Sequence, residues 1–179
     1  MTCIVGYIAD DGIYMGADSA GTDSALNQRT RIDNKVFLMD DFVIGFTSSF
    51  RMGQLLQYQF EPPEYIEQIY GDIFGYMCTG FIDSLRACFI NGGYAQNDKG
   101  EESGGVFLVG YKGRLFEIES DYQVAEVTDR YNAVGCGANY ALCSLYTNDG
   151  TPEEIVLTAL ECAEYFSAGV RGPFTILKL

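Results

Sequence analysis

The sequence predicts an α+β fold in which mostly antiparallel sheets lie between layers of helix. Three observations carry this expectation. Strand-like apolar runs come in hairpin pairs at the amino end, a helical tract follows them, and a second set of strands and a second helical tract complete the order. No internal repeat, low-complexity tract or linker divides the 179 residues, so 1–179 is read as a single domain, long enough to bury a core.

Residues 2–9, TCIVGYIA, read as a buried strand, and Asp11-Gly12 is a hairpin-turn signal before the second strand, residues 12–18. The polar stretch GTDSALNQRTRID reads as a loop. KVFLM and FVIGFTSS then form a second hairpin around Asp40-Asp41. FRMGQLLQYQF begins the first helix, which Pro62-Pro63 interrupts. EYIEQIYGDIFGYMCTGFIDSLRACFI is helical on the spacing of Phe81, Leu85, Cys88 and Phe89, although Gly71, Gly75 and Gly80 weaken it. NGGYAQNDKGEESGG is polar, acidic and glycine-rich, as an exposed loop should be. VFLVGY and RLFEIES are strands hinged at Lys112-Gly113, and QVAEV and YNAVG follow. GANYALCSLYT reads as a helix. Thr151-Pro152-Glu153-Glu154 is a capping box with proline at the first helical position, after which Ile155, Ala159, Cys162, Ala163 and Phe166 share one face. Gly169 is placed to end that helix, and PFTILKL is a closing strand.

Lys and Arg number 11 against 25 Asp and Glu, a formal charge of −14. That argues against nucleic acid and against an anionic membrane surface, both of which need a basic face. No apolar run approaches the ~20 residues of a membrane helix. The first ten residues lack a basic stretch and run into Ala9-Asp10-Asp11, so no signal peptide is expected. Cys3, Cys78, Cys88, Cys136, Cys143 and Cys162 are scattered, with no CxxC pair. Most sit in apolar contexts as small core residues would, in a reduced cytoplasmic protein, although six could form three bridges. Their spacing does not suit zinc, and no metal or other cofactor is expected.

The chain has no histidine, which removes Ser-His-Asp and Cys-His catalysis and HExxH zinc peptidases. A base must then come from Lys, Asp, Glu, Tyr or a free amine. Methionine aminopeptidases remove Met1 when the next side chain is small, and Thr2 qualifies. The new terminus would hold a hydroxyl and an amine on adjacent carbons, with an amine pKa of about 7.7–8.0, near the ideal for a general base. One residue would then be both nucleophile and base. Asp18 closes the second strand and Lys35 opens the third, and in a double hairpin those ends converge near Thr2. A lysine beside the amine lowers its pKa, and a carboxylate keeps the lysine charged and oriented.

A threonine at the mature start, strand, turn, strand ending in GADS, lysine before a strand, and a strand ending in a small-residue turn into a helix: this order resembles the proteasome β-subunits. It is still more similar to HslV, the peptidase of the bacterial HslVU protease, which likewise lacks a long propeptide. VIGFTSSFRMGQLL and SAGVRGPFTIL also resemble segments of uncharacterised proteasome-like proteins of bacteria and phages. The likeness spans the chain in element order and is specific in residues 2–49. It implies a four-layer αββα sandwich, the fold of N-terminal-nucleophile hydrolases. It implies that Thr2 attacks a peptide carbonyl, that its own amine takes the proton, and that Lys35 tunes that amine with Asp18 behind it. The family's Gly-Gly turn, source of an oxyanion N–H, aligns with Ser48-Ser49, where a serine at positive φ would be strained. Its serine near the nucleophile aligns with Cys136, and its supporting aspartate on the last helix aligns near Ser167.

Two functions follow from different classes. One is a threonine peptidase or related amide hydrolase in a homo-oligomeric ring, acting on peptides or unfolded proteins, with an ATPase unfoldase as a further expected partner. The other is a catalytically weak or inactive ring or scaffold subunit, which Ser48, Cys136 and Ser167 would favour. A cation-binding domain built on NDKGEES lacks EF-hand spacing, and a solvated acidic face explains that stretch better.

Overall fold

The structure, a computed structural model, describes every residue but Lys99. Strands β1 (Cys3–Ala9) and β2 (Gly12–Ala17) form the first hairpin. A small hairpin, β3 (Ala20–Thr22) with β4 (Gln28–Thr30), precedes β5 (Val36–Met39) and β6 (Phe42–Phe46). The first helical tract is α1 (Phe50–Tyr58), α2 (Glu67–Tyr70), α3 (Ile73–Tyr76), a π-helical turn at Met77–Phe81, and α4 (Ile82–Asn91). After a second small hairpin, β7 (Gln96–Asp98) and β8 (Glu101–Ser103), come β9 (Phe107–Tyr111), β10 (Arg114–Ile118), β11 (Val124–Glu126) and β12 (Tyr131–Gly135). Helices α5 (Ala138–Thr147) and α6 (Pro152–Phe166) lead to β13 (Thr175–Lys178).

Nine of the strands form two main antiparallel sheets, ordered β12-β1-β2-β13 and β11-β10-β9-β6-β5. Side chains alternate across each strand, so each sheet presents two apolar faces. Cys3 and Val5 face Val156, Ala159, Leu160 and Ala163 of α6. Ile4 points the other way and meets Ile13, Met15, Val43, Leu108, Leu115 and Val134 between the sheets. On the far side of the second sheet, Ile44, Phe46, Phe107, Val109 and Phe116 pack on Leu55, Phe81, Leu85 and Phe89 of the first helical tract. Three cores therefore separate four layers, αββα. A fully buried Ile or Leu in any of them stabilises by about 1.5–3 kcal/mol.

Several expectations needed correction. The stretch read as a polar loop before Lys35 holds β3 and β4, and the glycine-rich stretch before Val106 holds β7 and β8. Paired outside the main sheets, these ribbons bury little and leave no alternating pattern in the sequence; Lys99 lies outside the described residues. YNAVG, read as a strand without a partner, is β12, the edge partner of β1 in the first sheet. The helical tract breaks at Gly71, at φ +73, and then runs unbroken from 73 to 91. Gly80 sits in that rod because a Cβ there would lie 2.6 Å from the Tyr70 ring. Ile73–Asn91 is long and apolar enough to span a membrane by length and composition, contrary to the expectation that no stretch was. Here its buried residues serve the core of the outer helix layer. All six cysteines are free thiols; only Cys3 is buried, while Cys78, Cys136 and Cys143 are exposed. Phe166, expected on the packed face of α6, is 60% exposed at the helix end. The capping box of α6 forms as read, with Thr151 and Glu154 bonding each other's backbone N–H.

Candidate active site

Strand ends from both sheets converge at one end of the sandwich. Thr2, immediately before β1, is 5% exposed. It lies against the turn that ends β12, where Gly135 has φ +98 and a Cβ would meet the Thr2 carbonyl oxygen at 2.3 Å. Only glycine satisfies both constraints. The next residue, Cys136, accepts the Thr2 N–H at 3.3 Å and donates to the Thr2 carbonyl at 3.4 Å. Ser167, at the end of α6, donates to the Cys136 Sγ at 3.5 Å and accepts the Gly169 N–H at 3.4 Å. With Met1 attached, the Thr2 nitrogen is an amide, and the Thr2 hydroxyl donates to the Met1 carbonyl.

Asp18 and Lys35, 2% and 1% exposed, form a buried ion pair with Nζ–Oδ1 at 2.8 Å. Asp18 also accepts the backbone N–H groups of Cys3 at 3.0 Å, Ala20 at 2.9 Å and Arg171 at 3.3 Å. The carboxylate thus ties β1, β3 and the α6–β13 connection to the lysine. Burial pulls the Lys35 ammonium below the ordinary lysine range, while the Asp18 charge and hydrogen bond work to hold its proton. Burial pushes the Cys3 thiol up, so this neighbour is inert.

The turn after β6 completes the site. Thr47 donates from its N–H and its hydroxyl to the Val106 carbonyl, at 3.1 and 2.8 Å. Ser48 stands at φ +54 and takes the Val106 N–H on its hydroxyl at 3.0 Å. Such a conformation costs a serine about 1–2 kcal/mol, and the two links to Val106 hold it. Among the described residues the Ser48 backbone N–H donates to nothing. The Ser49 N–H is taken by the Thr47 carbonyl at 2.6 Å, and its hydroxyl caps α1 by accepting from Arg51 at 3.1 Å. Thr2, Lys35, Ser48 and Ser49 line one small cavity of about 60 Å³ together with Thr22 and Phe50.

The six groups Thr2, Asp18, Lys35, Ser48, Cys136 and Ser167 are therefore brought together, with Ser49 beside them as a helix cap. Reading the sequence missed Thr22, Phe50 and the N–H groups of Ala20 and Arg171. Phe50 follows directly on Ser48-Ser49 and was within reach, but Thr22 depends on a hairpin that the pattern did not disclose. A larger open cleft of about 750 Å³, lined by Asp98, Glu101, Glu102 and Asp121, contains no residue of this site.

No protein-family model matches the chain, nor does any curated protein. Solved structures do. BPH of Thiobacillus denitrificans matches with a TM-score of 0.78 at 18% identity, over 99% of this chain and 97% of that one. Its complex with epoxomicin gives 0.78 at 17% identity, over 99% and 97%. HslV from Trypanosoma brucei gives 0.69 at 18% identity, over 99% and 98%. The Anbu complex from Pseudomonas aeruginosa, solved as a helical assembly, gives 0.66 at 16% identity, over 99% and 80%. The chain has the fold of N-terminal-nucleophile hydrolases. Within that class its architecture is the proteasome-like one shared by BPH, HslV and Anbu.

Proposed function

We propose that the chain, as one domain with Met1 removed, is a threonine hydrolase of peptide bonds. The observation that carries this reading is the buried Asp18–Lys35 pair, whose lysine lines the same small cavity as Thr2 and Ser48 with its unengaged N–H. Removal of Met1 turns the Thr2 amide into an amine and releases the hydroxyl from the Met1 carbonyl. The amine takes the hydroxyl proton as Thr2 Oγ1 attacks the substrate carbonyl. The Ser48 N–H receives the developing oxyanion. The protonated amine then delivers its proton to the leaving nitrogen, and water, deprotonated by the same amine, hydrolyses the Thr2 ester. Lys35 keeps the amine unprotonated near neutral pH by like-charge repulsion, and Asp18 holds Lys35 in place. Cys136 and Ser167 orient the amine, with Ser49 supporting the oxyanion turn.

A homo-oligomeric ring in the cytoplasm, supplied with unfolded chains by an ATPase, belongs to the same reading. Assembly in the Anbu complex supports the oligomeric part by analogy of fold. A weak or inactive scaffold subunit is the competing reading, favoured by a thiol where a stronger hydrogen-bond partner would serve better. Hydrolysis of fluorogenic peptides separates the two. Thr2→Ala is expected to abolish turnover with an unchanged circular dichroism spectrum. Equal turnover in Thr2→Ala would remove the nucleophile from the mechanism.

A further inference from the structure

A second cleft, of about 400 Å³, adjoins the Thr2 cavity and is lined by Thr22, Asp23, Asn27, Arg29, Arg31 and Phe50 among others. Thr22 and Phe50 line both spaces, so the two share a wall. We propose that this cleft holds the substrate side chain next to the bond that Thr2 attacks, and that it selects a carboxylate there through Arg29. The proposal rests on the threonine-hydrolase reading and adds the substrate class to it.

Charge carries the first part. In a chain of 25 acidic and 11 basic residues, a cation finds a carboxylate easily. Arg31, Lys35, Arg86, Arg114, Arg130 and Lys178 do so, whereas Arg29, Arg51, Lys112 and Arg171 make no ion pair among the described residues, and of these four Arg29 is the one that lines this cleft. Among the described residues the Arg29 side chain makes no ion pair and no hydrogen bond, although it lines a cleft that also contains Asp23. Asp23 is already engaged: its oxygens accept Ala25 N–H and Asn27 N–H at 2.9 Å and Asn27 Nδ2 at 3.1 Å, which holds its carboxyl below the usual range. Arg31 is neutralised by a bidentate pair with Asp33 at 2.7 and 2.6 Å and lies 3.8 Å over the Phe50 ring, which fixes the shared wall. The guanidinium of Arg29 is thus an open planar fork suited to a carboxylate. Arg171, on the α6–β13 connection, donates to the Gln28 amide oxygen next to Arg29 on β4 at 3.3 Å and adds a further cation without a carboxylate.

The second part is independent of charge. The Thr22 hydroxyl oxygen is buried and has no hydrogen-bond partner among the described residues. A buried hydroxyl left unpaired is unfavourable, and a polar group crossing from cleft to cavity would satisfy it. An apolar side chain would leave it orphaned.

Two fluorogenic peptides that differ only as Glu or Gln at the residue whose carbonyl is attacked provide the test. The Glu peptide is expected to show a kcat/KM about tenfold higher, the worth of one charge-assisted pair. Arg29→Ala and Arg29→Gln should bring the ratio toward one, added salt should shrink it, and Lys112→Ala, remote in charge and site, should leave it intact. A ratio near one in the unaltered protein, or one that ignores both Arg29 variants, overturns the proposal. Binding of the same two peptides, labelled, to Thr2→Ala protein by fluorescence anisotropy gives a reading without catalysis. Equal affinities there also overturn the cleft assignment. Tighter Glu binding with no turnover in the native protein would instead overturn the hydrolase reading and keep the cleft.

Discussion

At the scale of residues, the site is a contrast between two partners of one buried ion pair. Asp18 has three backbone N–H donors besides Lys35, whereas among the described residues the only hydrogen bond from the Lys35 ammonium goes to Asp18. Asp18→Asn therefore strands a buried charge and is expected to lower stability by about 3–5 kcal/mol, measured by urea unfolding. The pH dependence has a definite sign. The folded-state pKa of Lys35 already lies below its unfolded value, and losing Asp18 lowers it further. The fold then binds fewer protons than the unfolded chain between those two values, so the stability of Asp18→Asn rises with pH across that window and its deficit is largest at neutral pH. A deficit that widens from about pH 7 to pH 10 would contradict the assignment. Lys35→Ala leaves Asp18 satisfied by backbone, so its effect should fall on chemistry. Turnover should drop by about 100-fold or more, and Lys35→Arg should not restore it, because a planar fork does not replace a point charge. Near-normal turnover in Lys35→Ala would make this lysine structural. Cys136→Ser is expected to turn over at least as fast as the native chain, and Cys136→Ala about two- to tenfold slower, as a weak hydrogen bond to the Thr2 nitrogen would dictate. A slower Cys136→Ser would contradict it. Thr2, Asp18 and Lys35 were legible because each sits at the end of a strongly patterned strand. Thr22 was not, since nothing in GTDSALNQRTRID marks which residue returns to the cavity.

At the scale of elements, close approach matters more than propensity. Gly16 on β2 brings the sheet onto α6 so tightly that a Cβ would meet Val156 Cγ1 at 2.5 Å and Leu160 Cδ1 at 2.8 Å. Gly16→Ala is expected to destabilise by about 1–3 kcal/mol through overpacking, read from the urea midpoint. An unchanged midpoint would mean that the α6 layer yields. The two main hairpins, the paired strands before Gly113 and after it, and the capped last helix were all readable, because each combines a turn signal with a buried face. The small hairpins bury little and were taken as loops. The pairing of β12 with β1 was invisible for a different reason. A five-residue strand pattern says which face is apolar but not which neighbour it joins.

At the scale of the whole molecule, the surface retains large apolar side chains that the layers do not consume. The segment from Tyr58 to Met77 divides: Phe60 and Tyr76 belong to the outer core, while Tyr58, Ile66, Ile69 and Phe74 remain exposed. Tyr140, Tyr165 and Phe166 form a further exposed group on the opposite helix layer, with Phe166 packed against both tyrosine rings. Light scattering at micromolar concentration should accordingly give an oligomer mass, and a monomer that retains full peptidase activity would remove the need for a compartment. The central claim is narrower: the working nucleophile is the freed Thr2. Intact-mass spectrometry before and after treatment with epoxomicin tests it most directly. A mass lacking Met1 is expected and, after treatment, a single adduct that vanishes in Thr2→Ala. Full retention of Met1 in an active preparation, or an adduct that persists in Thr2→Ala, would contradict it.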